Sequence, residues 1–342
     1  MNEPVRIGII GAGRIGRLHA ENLVRRIRGA TVAAIADVVL EAAQDCAAAF
    51  SIPGAVADPR ALLEDREIDA VFICSSTDTH ATLIEEAATC GKHVFCEKPI
   101  ALDLPAIDRA LGAAARAGIL LQIGFNRRFD AGFRRAHDLI AAGAIGRPEV
   151  LRITSRDPAP PPSEYVKVSG GIFLDMMIHD FDMARFVMGD EVEEVFAVGA
   201  VLVDPAIGAA GDVDTAAVTL RFAGGAIGVI DNSRRAVYGY DQRLEVHASK
   251  GRILVENPKP DQVLRADAAG DHGAPLYRFF LDRYTEAYVA EAQTFIDALV
   301  AGREPPVTGH DGRTPVVIGH AARLSLETGR PVRLADVASG PG

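Results

Sequence analysis

Apolar positions in the first 125 residues alternate between two kinds of segment. Short β-branched runs (Val5 to Ile10, TVAAIA at 31–36, IDAVFIC at 68–74, HVFC at 93–96, ILLQIGF at 119–125) are separated by stretches whose apolar residues recur at three and four positions, such as THATLIEEAATCGK at 79–92. Period-2 or continuous apolar runs predict strands, and the longer period predicts helices. Their alternation predicts a parallel, doubly wound sheet whose ligands gather at the carboxyl ends of the strands. After about residue 126 the pattern changes. Long runs of β character (PEVLRITSRD, EEVFAVGAVLV, DTAAVTLRF, GAIGVIDNSRRA, QRLEVHASKG, GRILVEN) now follow one another, with tight hairpins expected at 222–226 and 249–251. This predicts an α/β N-terminal domain over 1–125 and an α+β domain over 126–342. The second is built on an open, mostly antiparallel sheet of about six strands flanked by helices, with helices near 283–301 and 314–328 closing the chain. A C-terminal helix is expected to pack back on the first domain.

One segment breaks its own pattern. GGIFLDMMIHDFDMARF, residues 170–186, would be a buried helix but for Asp175, His179, Asp180 and Asp182. On a continuous helix Asp175 and His179 are four apart and share a face, where an aspartate can orient and charge an imidazole. Taken alone, the spacing favours an exposed polar stripe on an ordinary amphipathic helix.

Sharper chemistry lies at the start. In VRIGIIGAGRIGRLHAENL a strand runs directly into Gly11, Gly13 and Gly16 and then a helix, which is the context that gives GxGxxG meaning. Gly11 permits the turn, Gly13 lets backbone approach a pyrophosphate, and Gly16 lets helix pack on strand, with Arg14 and Ile15 completing the loop. The helix start then offers free N–H groups to phosphate. Asp37, at the end of the next strand, can accept both ribose hydroxyls and would repel a 2′-phosphate, so NAD is expected over NADP; capping of the next helix is its alternative role. Ser75, Ser76, Thr77 and His80 fall at one strand end and Glu97, Lys98 and Pro99 at another, both expected beside the cofactor. A polar loop cap and a surface turn are their plain structural alternatives.

Composition narrows the partners. The formal net charge is −10 and basic clusters are short, so nucleic acid and anionic membrane are not expected partners. No apolar run approaches a membrane span, the start lacks a signal-peptide pattern, and a cytoplasmic location is expected. Cys46, Cys74, Cys90 and Cys96 show no ligand spacing; reduced thiols and no metal site are expected.

GAGRIG at 11–16, CEKP at 96–99 and the 170–186 segment resemble the glucose–fructose oxidoreductase, inositol dehydrogenase and MocA superfamily. Within it, GFNRRFD at 124–130, SRDPAPPP at 155–162 and DNSRRAVYGYDQRLEVHASKG at 231–251 look like inositol 2-dehydrogenases. The resemblance implies NAD-dependent oxidation of a ring hydroxyl of a cyclitol, myo-inositol first, and a homotetramer. It also maps a catalytic triad onto Lys98, Asp175 and His179. Neutral His179 suits the general base, Asp175 its orientation, and Lys98 donation to the reacting oxygen; lysine as first proton acceptor is the alternative. Besides the triad, Asn126, Arg127, Asp157, Asp182 and Tyr238 are candidates for holding a polyhydroxylated ring, each with a structural alternative. His19, His93 and His247 fit core or surface roles better. Other readings are a scyllo-inositol, chiro-inositol or aldose dehydrogenase, an NAD-retaining glycosidase, and a catalytically silent dinucleotide sensor.

Overall fold

A computed structural model describes residues 3–338. The chain divides into two compact units: one runs through Phe129 and takes in Glu286–Val316, and the other comprises Asp130–Thr285 and continues from Val317. The first compact unit thus runs to the end of a short 3-10 helix, Asn126–Phe129, and residues 286–316 belong to it as well.

The first unit is built on β1 (Val5–Ile10), β2 (Ala30–Ala36), β3 (Gly54–Val56), β4 (Ala70–Ile73), β5 (His93–Glu97) and β6 (Leu121–Gly124). All pairings are parallel, in the order β3-β2-β1-β4-β5-β6. The order reverses between β1 and β4, and the crevice beyond the strand ends at that switch point is where open α/β sheets take ligands. Ile7, Ile9, Phe72 and Phe95 are fully buried because helices cover both sheet faces. One of these is Thr285–Ala301, which brings Phe295 edge-on to the stacked Phe72–Phe95 pair, at centroid distances of 5.6 and 5.9 Å. Cys46, Cys74 and Cys96 are buried free thiols, and burial pushes those of Cys74 and Cys96 well up; Cys90 is exposed.

The second unit holds β7 (Pro148–Arg156), β8 (Val192–Ala200), β9 (Thr215–Phe222), β10 (Ile227–Ser233), β11 (Asp241–Ala248) and β12 (Gly251–Val255), the six runs read from the sequence. A separate exposed hairpin forms from β13 (Leu264–Asp267) and β14 (Gly270–Gly273), and β15 (Val332–Arg333) adds a seventh edge strand to the main sheet. The sheet order is β12-β11-β7-β10-β9-β8-β15, antiparallel throughout except for the central β7–β10 pair. Strict alternation of burial along β9 and β10 turns Val218, Leu220 and Ile230 inward, while Ile227 and Val229 face outward; Val198 of β8 is exposed as well.

The 170–186 segment is not one helix. Residues Ile172–Met176 form a π-helical turn, and an α-helix follows over Ile178–Met188. Asp212 accepts the Ile172 N–H at 2.9 Å, and a Cβ on Gly171 (φ +77°) would lie 2.7 Å from Asp212 Oδ1. Glycine there lets a carboxylate from a distant loop cap the turn. Asn232 Nδ2 of β10 donates to Asp180 Oδ2 at 2.8 Å, tying the following helix to the sheet. A helix over Ala131–Ala141, capped by Asp130, was not anticipated from the pattern. No helix among the described residues is long and apolar enough to cross a membrane.

Candidate active site

The glycine turn leaves β1 at the switch point. Gly11 has φ +103°, and a Cβ on it would meet the Cys74 carbonyl and the Ser75 nitrogen at 2.6 Å, so the loops after β1 and β4 touch backbone to backbone. A Cβ on Gly16 would sit 1.8 Å from the Gly11 carbonyl oxygen, which is the close packing of helix on strand. Gly13 differs from both. It is exposed, precedes the helix Arg14–Arg25 without a side-chain cap, and its missing Cβ points into open space. Asp37 Oδ2 accepts the Ala12 N–H at 2.7 Å and Oδ1 accepts from Val39 at 2.9 Å, which locks the end of β2 to the glycine turn. It does not cap the following helix Leu40–Phe50, which starts without a side-chain cap. Each carboxylate oxygen keeps a lone pair for a further donor.

An open helix start at the switch point, with space where a side chain would otherwise stand, is what a pyrophosphate requires, so the first unit is of the dinucleotide-binding Rossmann class. Residues 5–125 match the model of the oxidoreductase family with NAD-binding Rossmann fold, and residues 133–254 match that of the GFO/IDH/MocA C-terminal domain. The chain is 54% identical to the myo-inositol 2-dehydrogenase of Thermotoga maritima over 90% of its own length and 92% of the relative. It superposes on the crystal structure of a myo-inositol dehydrogenase from Corynebacterium glutamicum with a TM-score of 0.92, at 39% identity, covering 97% of this chain and 99% of that one. It also matches scyllo-inositol dehydrogenase from Lactobacillus casei with bound NAD(H) and scyllo-inositol, with a TM-score of 0.91 at 31% identity, covering 97% and 99%. The protein belongs to the GFO/IDH/MocA family of oxidoreductases.

The glycines make a test of the cofactor fit. Gly16→Ala is expected to cost roughly 3 kcal/mol, since its methyl collides with backbone. Gly13→Ala should leave the melting temperature within about 2 °C yet weaken NAD at least about tenfold, because its methyl fills only the space a pyrophosphate needs. Thermal unfolding and NAD titration by calorimetry separate the two effects; equal affinity in Gly13→Ala would place the phosphates elsewhere.

Beyond β4, Ser75 Oγ and Thr79 Oγ1 are 2.7 Å apart, and Ser76 precedes the helix Thr77–Thr89. His80, expected beside the cofactor, packs its ring against backbone. It is buried, with Nδ1 2.8 Å from the Pro99 carbonyl oxygen and Nε2 3.1 Å from that of Ser75, so both nitrogens meet backbone. At the end of β5, Glu97 Oε1 accepts from His19 Nε2 at 2.7 Å. Glu291 of the Thr285–Ala301 helix joins them, the three groups placing ligand atoms within 4.8 Å of one another. Lys98 is partly exposed.

In the second unit, residues 171–188 are buried except for Asp175, His179 and Phe186, and Phe186 is covered by the stacked ring of His137. The π-turn and the start of the next helix thus leave the aspartate and the histidine as the accessible polar groups of an otherwise dry segment. Asp175 accepts from Tyr165 Oη at 2.9 Å and from Arg234 Nη2 at 3.2 Å. Arg234 is 2% exposed and lies 3.8 Å from Asp157 as well. Neither Tyr165 nor Arg234 stood out from the sequence, although Arg234 lies inside the DNSRRAVYGY motif.

The ring-holding candidates divide. Asn126 and Arg127 are almost completely buried in the 3-10 helix, and Asp157 is partly exposed. Asp182 has no accessible surface. Tyr238 spends its hydroxyl on Asp241 at 2.7 Å while receiving Arg156 Nη1 at 3.2 Å. Burial pushes the Asp241 carboxyl up, but hydrogen bonds from Arg243, Tyr238 and Asn257 outweigh it and hold its pKa below the usual range. Tyr238 is therefore part of a surface polar network.

Proposed function

We propose that the protein oxidises a ring secondary alcohol of an inositol to the ketone, myo-inositol at its 2-position, with NAD. The observation that carries this reading is 54% identity, over nine-tenths of the chain, to a protein named myo-inositol 2-dehydrogenase. The accessible Asp175–His179 pair in a buried segment supports it chemically.

In this reading NAD, when bound, accepts the hydride of the alcohol carbon. His179 takes the hydroxyl proton, its ordinary pKa lying near working pH. Asp175, itself held by Tyr165 and Arg234, orients the imidazole and favours its charged form. Lys98 donates to the reacting oxygen as negative charge develops there. Asn126, Arg127 and Asp157 hold ring hydroxyls. Gly11, Gly13, Arg14, Ile15 and Gly16 line the phosphate approach, Asp37 takes the ribose, and Ser75, Ser76, Thr77 and Glu97 border the cofactor. The outer sheet face with Val198, Ile227 and Val229 supports self-association, as a homotetramer, and the enzyme works in the cytoplasm.

The test is NADH formation at 340 nm with NAD or NADP and a panel of myo-, scyllo- and chiro-inositol, glucose and xylose, alongside the mass of the same sample by light scattering. Turnover of myo-inositol with NAD and weak use of NADP is expected. Activity confined to an aldose would sink the inositol assignment, and a monomer would sink the tetramer.

A further inference from the structure

Lys98 is flanked in sequence by two residues that are each gripped by a buried histidine from a different helix. Before it, Glu97 accepts from Nε2 of His19, which lies in the helix Arg14–Arg25 and has no exposed surface. After it, the Pro99 carbonyl faces Nδ1 of His80, which lies in the helix Thr77–Thr89 and is 1% exposed. The His19 ring is itself fixed by Phe72, Phe95 and Tyr288, at centroid distances of 5.5, 5.0 and 5.8 Å. Glu97 is boxed in on a further side, since a Cβ on Gly124 of β6 would lie 3.0 Å from its Oε2.

His80 has carbonyl oxygens at both nitrogens, and a carbonyl only accepts. A neutral ring carries one proton and makes one of the two bonds. Burial, opposed by the two carbonyls and by the charges of Glu97 and Asp78, holds His80 below the ordinary histidine range, so the ring is neutral at pH 7. The shorter contact, to Pro99, assigns the proton to Nδ1.

We propose that His19 and His80 are positioning residues that clamp the chain on either side of Lys98 and so fix where its ammonium meets the reacting oxygen. The inference rests on the role given to Lys98 above. It explains why two ionisable rings are buried in this unit, one on a carboxylate and one on a backbone carbonyl, where apolar side chains would pack at lower desolvation cost. Both histidines are buried and act through the residues on either side of Lys98, so their loss appears in turnover.

Amide side chains distinguish the two nitrogens, because the asparagine amide nitrogen stands in the place of Nδ1 and that of glutamine in the place of Nε2. His80→Asn keeps the donor to Pro99 and His80→Gln removes it; His19→Gln keeps the donor to Glu97 and His19→Asn removes it. We expect His80→Gln and His19→Asn to lower kcat by about 10- to 10²-fold, the order of loss that follows misplacement of a catalytic group by about 1 Å. The matching His80→Asn and His19→Gln should restore kcat to within about threefold. Equal losses of kcat within each pair, or the reverse pattern, overturn the clamp. Lys98→Met is measured beside them: if it keeps turnover within about threefold, the role of Lys98 falls, whereas a large loss there with unseparated histidine pairs removes the clamp alone. Nitrogen-15 histidine spectra of the unsubstituted protein give a reading free of folding effects. A proton on Nδ1 of His80 and on Nε2 of His19 is expected, and a proton on Nε2 alone in His80 overturns the assignment.

Discussion

Replacing His179 with alanine should lower turnover by a factor on the order of 10² to 10⁴, the range over which a positioned general base acts. The residue keeps accessible surface in a segment where nearly every neighbour is buried, so its truncation costs less packing than theirs would. The melting temperature should accordingly stay within about 2 °C, and the affinity for NAD within about threefold. A loss of turnover without loss of folding or cofactor binding is the signature of a group acting on the reacting atoms. The pH profile of kcat/KM adds a second reading, because its acid limb reports the base of the free enzyme and should vanish in the variant. A variant that retains turnover within about threefold would remove His179 from the proton transfer and leave Lys98 as the acceptor.

Arg234→Met should be damaging for a different reason. The guanidinium is 2% exposed, and it lies 3.2 Å from Asp175 and 3.8 Å from Asp157. Removing one partner of a buried ion pair costs about 3–5 kcal/mol, because the remaining charge has lost both its water and its counter-ion. Asp175 keeps the Tyr165 hydroxyl and some exposure, so the lower end, roughly 3 kcal/mol, is expected. Denaturant unfolding measures it. Turnover should also fall more than about tenfold if Asp175 orients His179 as proposed, since that carboxylate would have lost one of its two named donors. Arg234→Lys preserves charge but not the fork that reaches two carboxylates, and should recover stability better than turnover. An unfolding free energy within about 0.5 kcal/mol of the parent for Arg234→Met would show that the pair contributes nothing.

These two residues also mark what could be read from the chain alone. His179 was legible because it interrupts an apolar pattern within a recognisable motif. Arg234 was not, since its importance lies in what it touches, and its partners are 59 and 77 positions away in sequence. The six strands of the second unit announced themselves through alternation, whereas β13 and β14, exposed at every residue, carried no pattern to read. The helix Ala131–Ala141 was missed although Asp130 is a regular cap, because its buried positions, Phe133, Ala136 and Ile140, are few. The π-turn before His179 depends on Asp212, 40 residues from the Ile172 N–H it accepts, so local spacing suggested a continuous helix instead. The position of His80 near a strand end was legible, whereas the direction of its ring nitrogens is a tertiary fact.

The membership of Thr285–Ala301 in the first unit bears on how the protein is made. Phe295 and Ile296 belong to the same buried cluster as Ile7, Ile9 and Phe72, yet residues 130–285 stand between them in the chain. A ribosome that has finished all six strands of the first sheet has still to synthesise the whole intervening segment before the cluster can close. The nascent Rossmann half must therefore wait with Phe72 and Phe95 lacking one of their aromatic neighbours, and a helix that emerges late completes the first core to begin.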